Sequence, residues 1–476
     1  MPSLLLAVLL GLQGPDLSAV PTDPLPALEA EVTQVEVEHH VRFLASDELQ
    51  GRPAVSEHSR RAARYLASVL KESGLKPGAA DGTYLQQVPY VRTAFTAAHE
   101  LRVALEDGTH LDLEMGSEFA LRVRGEVSSG TYRAHHVRSA EDVPEPDPGV
   151  ALVVHGRSSS VRSWVPEYGA GFGLVLVAGG QGLRKPRGLP ADSLSPAWTE
   201  PEVDLPEEVR VYGDRANGAA QAATSITLTL HGGSEQVSDP NVVARIDGIG
   251  TSDNPALADE VIVISAHFDH VGTTKPAEEA AEGEDVIRNG ADDDASGVAS
   301  VLEVAGALAA GPAPARTVLV LLATAEERGI EGTKYFVKSP PVPLERIVCN
   351  LNFEMLGRPD PTVGGAGKLW LSGYERSSLG PAFGEQGLDV KPDMRPEQNF
   401  FMRSDNIVFV LEGIVGQTLS SYNMHGDYHQ VGDDADGIDF DHLTRATRAA
   451  LEATRMLADG RITPAWNEGE PKGVRR

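Results

Sequence analysis

Cysteine is almost missing from this chain, with Cys349 the single one in 476 residues. That excludes an intramolecular disulfide framework and any multi-cysteine metal cluster, so a metal ion here would have to be held by His, Asp and Glu. Cys349 itself stands in the apolar run Ile347-Val348-Cys349 and reads as a small buried hydrophobe rather than a nucleophile. Positive charge is scarce as well. Against 69 Asp and Glu stand 41 Lys and Arg, a formal net charge of −28, which excludes non-specific binding to nucleic acid or to an anionic membrane. Such a surplus keeps a protein soluble and also supplies hard oxygen ligands. Long apolar runs are lacking too, so no membrane span is expected. The run Leu4 to Leu12 has the length of the apolar centre of a signal peptide, although no Lys or Arg precedes it and no clear Ala-x-Ala site follows. Gly14, Pro15, Pro21 and Pro24 would break an ordinary helix there. Residues 1–22 are therefore expected to be a signal peptide, and the chain to work outside the cytoplasm, secreted or periplasmic.

What is present is a globular balance, 41% hydrophobic and 23% charged, in a length that suits two or three units. From Val35 to Leu75 apolar residues recur at helical spacing in two stretches, separated by the polar turn Leu44 to Arg52. Residues 96–236 have another texture, with short β-rich runs such as Val150 to Val154 and Leu174 to Val177 punctuated by Gly and Pro. They read as an inserted, mostly β domain. From residue 237 to 462 strands and helices alternate, the mark of an α/β sheet flanked by helices. The strand candidates Val261 to Ser265, Thr317 to Thr324 and Ile347 to Phe353 are continuous apolar runs, as strands buried on both faces require. The predicted helices are Ser296 to Ala309 and Leu443 to Leu457, and residues 463–476 form a polar tail. The fold class expected is α/β, with a mixed, largely parallel central sheet and an inserted mostly β domain.

Acid and imidazole groups cluster where those strands end. His267-Phe268-Asp269-His270 follows the first, Glu326-Glu327 the second and Glu354 the third, while Asp292-Asp293-Asp294 precedes a helix and Tyr428-His429 stands near the C-terminus. Each alone has a plainer reading: a Glu pair is usually solvated, an Asp triplet usually caps a helix, and a lone His is usually a hydrogen-bonded core residue. Together they point elsewhere, because open α/β sheets bind ligands at the carboxyl ends of strands. A carboxylate is costly at such a buried end unless it is paired or metal-bound. Two His and three carboxylates make a good ligand set for two zinc ions.

The order His-x-Asp, Gly-Ala-Asp-Asp-Asp-Ala-Ser-Gly, Glu-Glu, Asn-Phe-Glu-Met-x-Gly and Tyr-His resembles metallopeptidase family 28, which includes secreted aminopeptidases and glutamate carboxypeptidase. The Leu44 to Arg52 turn and the run Asn241 to Arg245 share the resemblance, so residues 23–95 and 237–462 would form one zinc peptidase domain. The insertion resembles a protease-associated domain. The resemblance implies a zinc exopeptidase, foremost an aminopeptidase, acting on peptides with two Zn2+ per chain. It places His267 and Glu354 on one zinc, Glu327 and His429 on the other, and Asp293 between them. Asp269 would orient His267, Glu326 would be the general base, and Tyr428 would steady the tetrahedral oxyanion.

Glu354 departs from the family pattern, where Asp is commoner, by adding one methylene of reach. Asp405, in Arg403-Ser404-Asp405-Asn406, stands in a stretch where the family often has His next, which leaves its role open. The acidic loop Glu278 to Asp285 fits no motif and reads as solvated, with calcium binding a second reading. Two alternatives stay open: a non-catalytic binding ectodomain on the same scaffold, and a non-peptide amide hydrolase or cyclase using one zinc.

Overall fold

A computed structural model describes residues 32–95, 99–122, 129–155, 171–178, 193–198, 207–471 and 474. The proposed signal peptide, residues 1–22, lies outside the described residues. Among the described residues no helix is long and apolar enough to cross a membrane. The chain divides into two compact units, one of Met1–Val88 with Asp239–Arg476 and the other of Pro89–Ser238.

The first unit holds the strands of interest, labelled here β1 Gly232–Ile246 (its last part, from Asp239), β2 Val261–His267, β3 Thr317–Ala323, β4 Ile347–Glu354, β5 Leu369–Leu371, β6 Val390–Pro392 and β7 Val415–Ser420. In space they run β6-β5-β7-β4-β2-β3-β1. The four central strands are mutually parallel: β2 pairs with both β3 and β4, and β4 pairs with β7. β1 and β5 join them antiparallel, which makes the sheet mixed but largely parallel.

Both faces of β2 and β3 are buried, which explains their unbroken apolar sequence. Ile262, Ile264 and Ala266 point into one core with Val318, Val320 and Leu322. That core is completed by helices α1 Gln34–Leu44, α2 Glu57–Glu72, α3 Gly297–Ala310 and, later in the chain, Phe440–Ala458. Val261, Val263, Leu319 and Leu321 point the other way, against Phe336 and Val337 of α4 Glu331–Lys338 and against Phe409 of α5 Asn406–Leu411. Phe440–Ala458 is α6. Cys349 is fully buried on β4, and burial pushes its thiol up to about 12, so it is the inert hydrophobe expected. The acidic loop Glu278 to Asp285 is mostly exposed, with Glu284 paired to Lys275 at 2.7 Å.

The second unit is β-rich. Its sheet runs His110–Leu113, Glu100–Leu105, Ala223–Thr229, Gly130–Val137, Val150–His155, Leu174–Ala178, Glu207–Val211 and Phe119–Arg122. Leu101, Val103, Phe119, Val153, Leu176 and Val209 form its core, and the helix Gly213–Gln221 packs there through Ala216 and Ala220.

In the first unit Arg52 ties three loops together. It is 1% exposed, and its guanidinium donates to the carbonyls of Leu44 at 2.5 Å, Phe268 at 2.8 Å, Asn289 at 2.5 Å and Gly290 at 2.9 Å. These mark the end of α1, the loop after β2 and the turn before α3. Burial pulls Arg52 down to about 10, with Asp269, Asp433, Asp293 and Asp294 pulling the other way, so it stays charged at neutral pH. Arg52→Met would strand buried carbonyls and remove the cation beside buried acids. It is expected to lower unfolding free energy by roughly 3–5 kcal/mol in chemical denaturation.

Candidate metal centre

The parallel strands deliver their ends to one place. β2 terminates in His267 and runs on to Asp269 and His270, β3 is followed by Glu326 and Glu327, and β4 terminates in Glu354. The turn before α3 brings Asp293, and the loop after β7 brings Tyr428 and His429. The backbone bends sharply at these points, with positive φ at Ala325 (55°), Met355 (52°) and His429 (56°). Non-glycine residues hold such angles only where surroundings enforce them, at roughly 1–3 kcal/mol each.

The Asp triplet divides its labour. Asp292 Oδ1 accepts from the Gly357 amide at 2.7 Å, and its Oδ2 lies 3.0 Å from His425 Nε2. Asp294 Oδ1 accepts from the amides of Met355 at 2.9 Å and Gly297 at 3.1 Å. Asp433 accepts from the amides of Asp292 at 3.0 Å and Asp293 at 3.1 Å, holding the turn from the other side. Among the described residues the carboxylate of Asp293 accepts from no amide, and it faces the imidazoles of His267 and His429. Gly290, at φ 63°, makes the turn feasible, since a Cβ there would meet the His270 ring at 2.6 Å.

Two clusters result, and they share Asp293. In one, His267 Nε2 lies 3.2 Å from Asp293 Oδ1 and 3.4 Å from Glu354 Oε1. In the other, His429 Nε2 lies 3.1 Å from both Asp293 Oδ2 and Glu327 Oε1, and His270 Nδ1 lies 2.9 Å from Glu327 Oε1. Both oxygens of Asp293 are thus engaged, one toward each cluster. His267 Nε2, His270 Nδ1, Asp293 Oδ2, Glu327 Oε1 and His429 Nε2 are buried without a hydrogen-bond partner. Each such atom costs roughly 1–3 kcal/mol unless something else satisfies it. Converging nitrogen and oxygen lone pairs without donors between them are what a divalent cation takes up. The residues fit metal ions.

All five ligand candidates read from the sequence come together here, and His270 is an addition. The sequence contained it within His267-Phe268-Asp269-His270, where only the outer order His-x-Asp was informative. Asp269 does something other than simply face His267. His267 Nδ1 has the Asp269 carbonyl at 3.2 Å and the carboxylate at 3.7 Å, while that carboxylate accepts the Glu326 amide at 2.9 Å. Asp269 therefore links the imidazole to the backbone of the Glu pair. Behind Glu354, Oε2 accepts from Ser404 Oγ at 2.5 Å and from Asn352 Nδ2 at 3.3 Å, leaving Oε1 for the cluster.

Electrostatics follow burial. Burial pushes Glu326 well above the carboxylate range, opposed by His267 and reinforced by Glu354, Asp405 and Glu327. Burial alone would also raise Asp293, but His267 and His429 hold it well below. Burial raises the Tyr428 phenol, which the acids Asp293 and Glu327 reinforce, and that keeps its proton in place. Asp405 is fully buried beside this cluster and is pushed up to about 7 by burial.

An aromatic wall leads away from the candidate ligands. Tyr428 stacks on His429 with ring centres 3.9 Å apart, Tyr422 follows at 5.8 Å, Phe400 at 5.7 Å, and Trp370 stacks on Phe400 at 5.3 Å. This wall lines a cleft that also touches Glu354 and Arg403.

Residues 241–454 match the model of peptidase family M28. They form a family M28 peptidase domain. The match spans β2, β3, β4 and β7 and every residue of both clusters. The M28 fold extends to solved structures. The aminopeptidase from Aneurinibacillus sp. strain AM-1 superposes with a TM-score of 0.55 at 19% identity, covering 91% of this chain and 95% of that one. BSAP, a zinc aminopeptidase from Bacillus subtilis, gives 0.47 at 15% identity over 91% and 95%. Porphyromonas gingivalis glutaminyl cyclase gives 0.43 at 12% over 90% and 99%. No curated protein sequence matches the chain.

The shared carboxylate makes a prediction about metal content in the M28 domain. After dialysis against a mild chelator, His270→Ala and Glu327→Gln are expected to lose the same metal, leaving about half the wild-type content by mass spectrometry. His267→Ala should lose the other half, and Asp293→Asn should deplete both. Full content in His270→Ala would remove it from the ligand set.

Proposed function

We propose that this chain is a zinc-dependent exopeptidase working outside the cytoplasm, foremost an aminopeptidase, that hydrolyses terminal peptide bonds at a two-zinc centre. The observation that carries the reading is the pair of His and carboxylate clusters meeting at Asp293 inside an M28 domain. His267 and Glu354 would hold one zinc ion. Glu327 and His429 would hold the other, with His270 beside them, and Asp293 would give one oxygen to each. When bound, the ions would polarise the scissile carbonyl and make water nucleophilic at neutral pH. The second unit would serve as an inserted domain of the protease-associated type.

The chain's own groups would do the rest. Glu326 takes a proton from the attacking water and returns it to the leaving amine, a role worth about 10²–10⁴-fold in rate. Its amide is tied to Asp269, which also flanks His267, so base and ligand keep a set spacing. Tyr428 keeps its phenol protonated and, stacked on His429, can donate to the tetrahedral oxyanion. A binding ectodomain would have no use for an intact base and two complete ligand sets. A one-zinc cyclase would leave one cluster without purpose.

Glu326→Gln is expected to retain about two zinc ions per chain and to lose at least about 10²-fold in turnover on free-amine peptides. A panel of free-amine, N-blocked and C-blocked peptides reads the polarity of attack, with hydrolysis of free-amine substrates expected. A purified chain without zinc, or turnover untouched by chelation, would overturn the reading.

A further inference from the structure

We propose that Arg403 is a specificity-determining residue that receives a carboxylate of the substrate in the aromatic cleft. The inference rests on the peptidase reading above and names the substrate class of the same site.

The argument starts from how arginines are used in this part of the chain. In a protein of net charge −28, acids are plentiful, and nearby arginines find them. Arg358 pairs with Asp427 at 2.6 Å, Arg376 with Glu470 at 3.0 Å and Arg395 with Asp360 at 2.7 Å. Arg403 differs. It is exposed, lies over the Phe400 ring at 5.3 Å, lines the cleft, and among the described residues its guanidinium meets no carboxylate and no carbonyl. The one acid that also lines the cleft, Glu354, is already committed, with Oε2 taken by Ser404 and Asn352 and Oε1 turned to His267.

Any group that fills the cleft takes water away from Arg403. The aromatic walls, Trp370, Phe400, Tyr422 and Tyr428, offer it no formal charge in return. A purely apolar occupant would therefore cover an unpaired guanidinium, which is unfavourable. A carboxylate matches the planar N–H fork with two parallel hydrogen bonds and restores what solvent supplied. The aromatic faces suit the carbon stem that carries it. Elsewhere on this acidic protein an anionic substrate is repelled, so an uncommitted cation beside the metal ligands is where its charge would be read. Two sources offer the same chemistry: an acidic side chain of the substrate, or the main-chain carboxylate of a short peptide.

Two peptide pairs separate them. One is Glu-Ala-Ala-amide against Gln-Ala-Ala-amide; the other is Leu-Ala-Ala against Leu-Ala-Ala-amide. Wild type is expected to favour the carboxylate member of one pair in kcat/KM by about 10- to 100-fold, the range for a charge-assisted hydrogen bond. Arg403→Gln should erase that ratio, and Arg403→Lys should restore only part of it. The pair that responds identifies the source. Calorimetric binding of the same peptides to zinc-loaded Glu326→Gln, with and without Arg403→Gln, reads the preference without turnover. Should the preference appear there while wild type cleaves no peptide, the peptidase reading fails and this one stands. Equal treatment of acid and neutral members in both pairs, or an equal loss on both in Arg403→Gln, would overturn the role assigned to Arg403.

Discussion

Asp293 has to be buried with both oxygens aimed at imidazoles, and most of the surrounding M28 domain can be understood as meeting that demand. Four other aspartates, Asp269, Asp292, Asp294 and Asp433, surround it, and all five are at most 2% exposed. Such crowding of acid away from water is tolerable only if the neighbours spend oxygens on backbone amides. They do: Asp292, Asp294, Asp433 and Asp269 accept from Gly357, Met355, Asp293 and Glu326 amides respectively. Arg52 adds a permanent cation whose hydrogen bonds go to carbonyls rather than to any acid. Its charge is thereby shared by the group without neutralising a single member. Asp293 keeps its lone pairs for the imidazoles because the amides nearby are taken up by the other four acids.

A centre built like this works against the stability of its own domain. Unpartnered imidazole and carboxylate atoms, together with positive φ at Ala325, Met355 and His429, each add an unfavourable term. The domain counters with a sheet covered on both faces. Ile264 lies in one core and Val263 in the other, so each strand that carries a candidate ligand is held along its whole length before its end is exposed to the site. Rigid strands then set the ligand spacing, and the loops need only supply the approach. Metal binding would convert the unfavourable atoms into ligands, so stability and occupancy are coupled.

Much of this was legible in the sequence, for identifiable reasons. Central strands announce themselves as unbroken apolar runs, and β2, β3 and β4 were found within a residue or two of their observed ends. The helices α3 and α6 followed from periodicity in the same way. β7 was not found, because Gln417, Thr418 and Ser420 are buried polar residues in a strand. Gln417 satisfies itself on the carbonyls of Ser372 and Gly373 at 2.8 and 2.6 Å, a pairing no local pattern reveals. β5 and β6, at three residues each, are too short to show a period. Within the site, residue types and order identified the candidates that converge, but not His270. Nor could they separate the three acids of the triplet by physics alone, since that depends on amides donated by Gly357 and Met355, more than sixty residues away.

Glu354 shows how a departure in sequence becomes a difference in construction. Glutamate reaches one methylene further than aspartate and has one more torsion to fix, so left alone it would hold a ligand oxygen less firmly. Here its Oε2 is gripped by Ser404 and Asn352. Asn352 is itself anchored, since its carbonyl oxygen accepts from Ser265 Oγ at 2.7 Å on β2. Ser404 and Asn352 hold the carboxylate, and Ser404 lines the cleft together with its exposed neighbour Arg403. Two consecutive residues thus have different tasks: Ser404 stiffens the candidate ligand Glu354, and Arg403 is exposed to whatever enters. The longer acid and the serine that restrains it belong together as one solution, and replacing either alone would leave the other without its purpose.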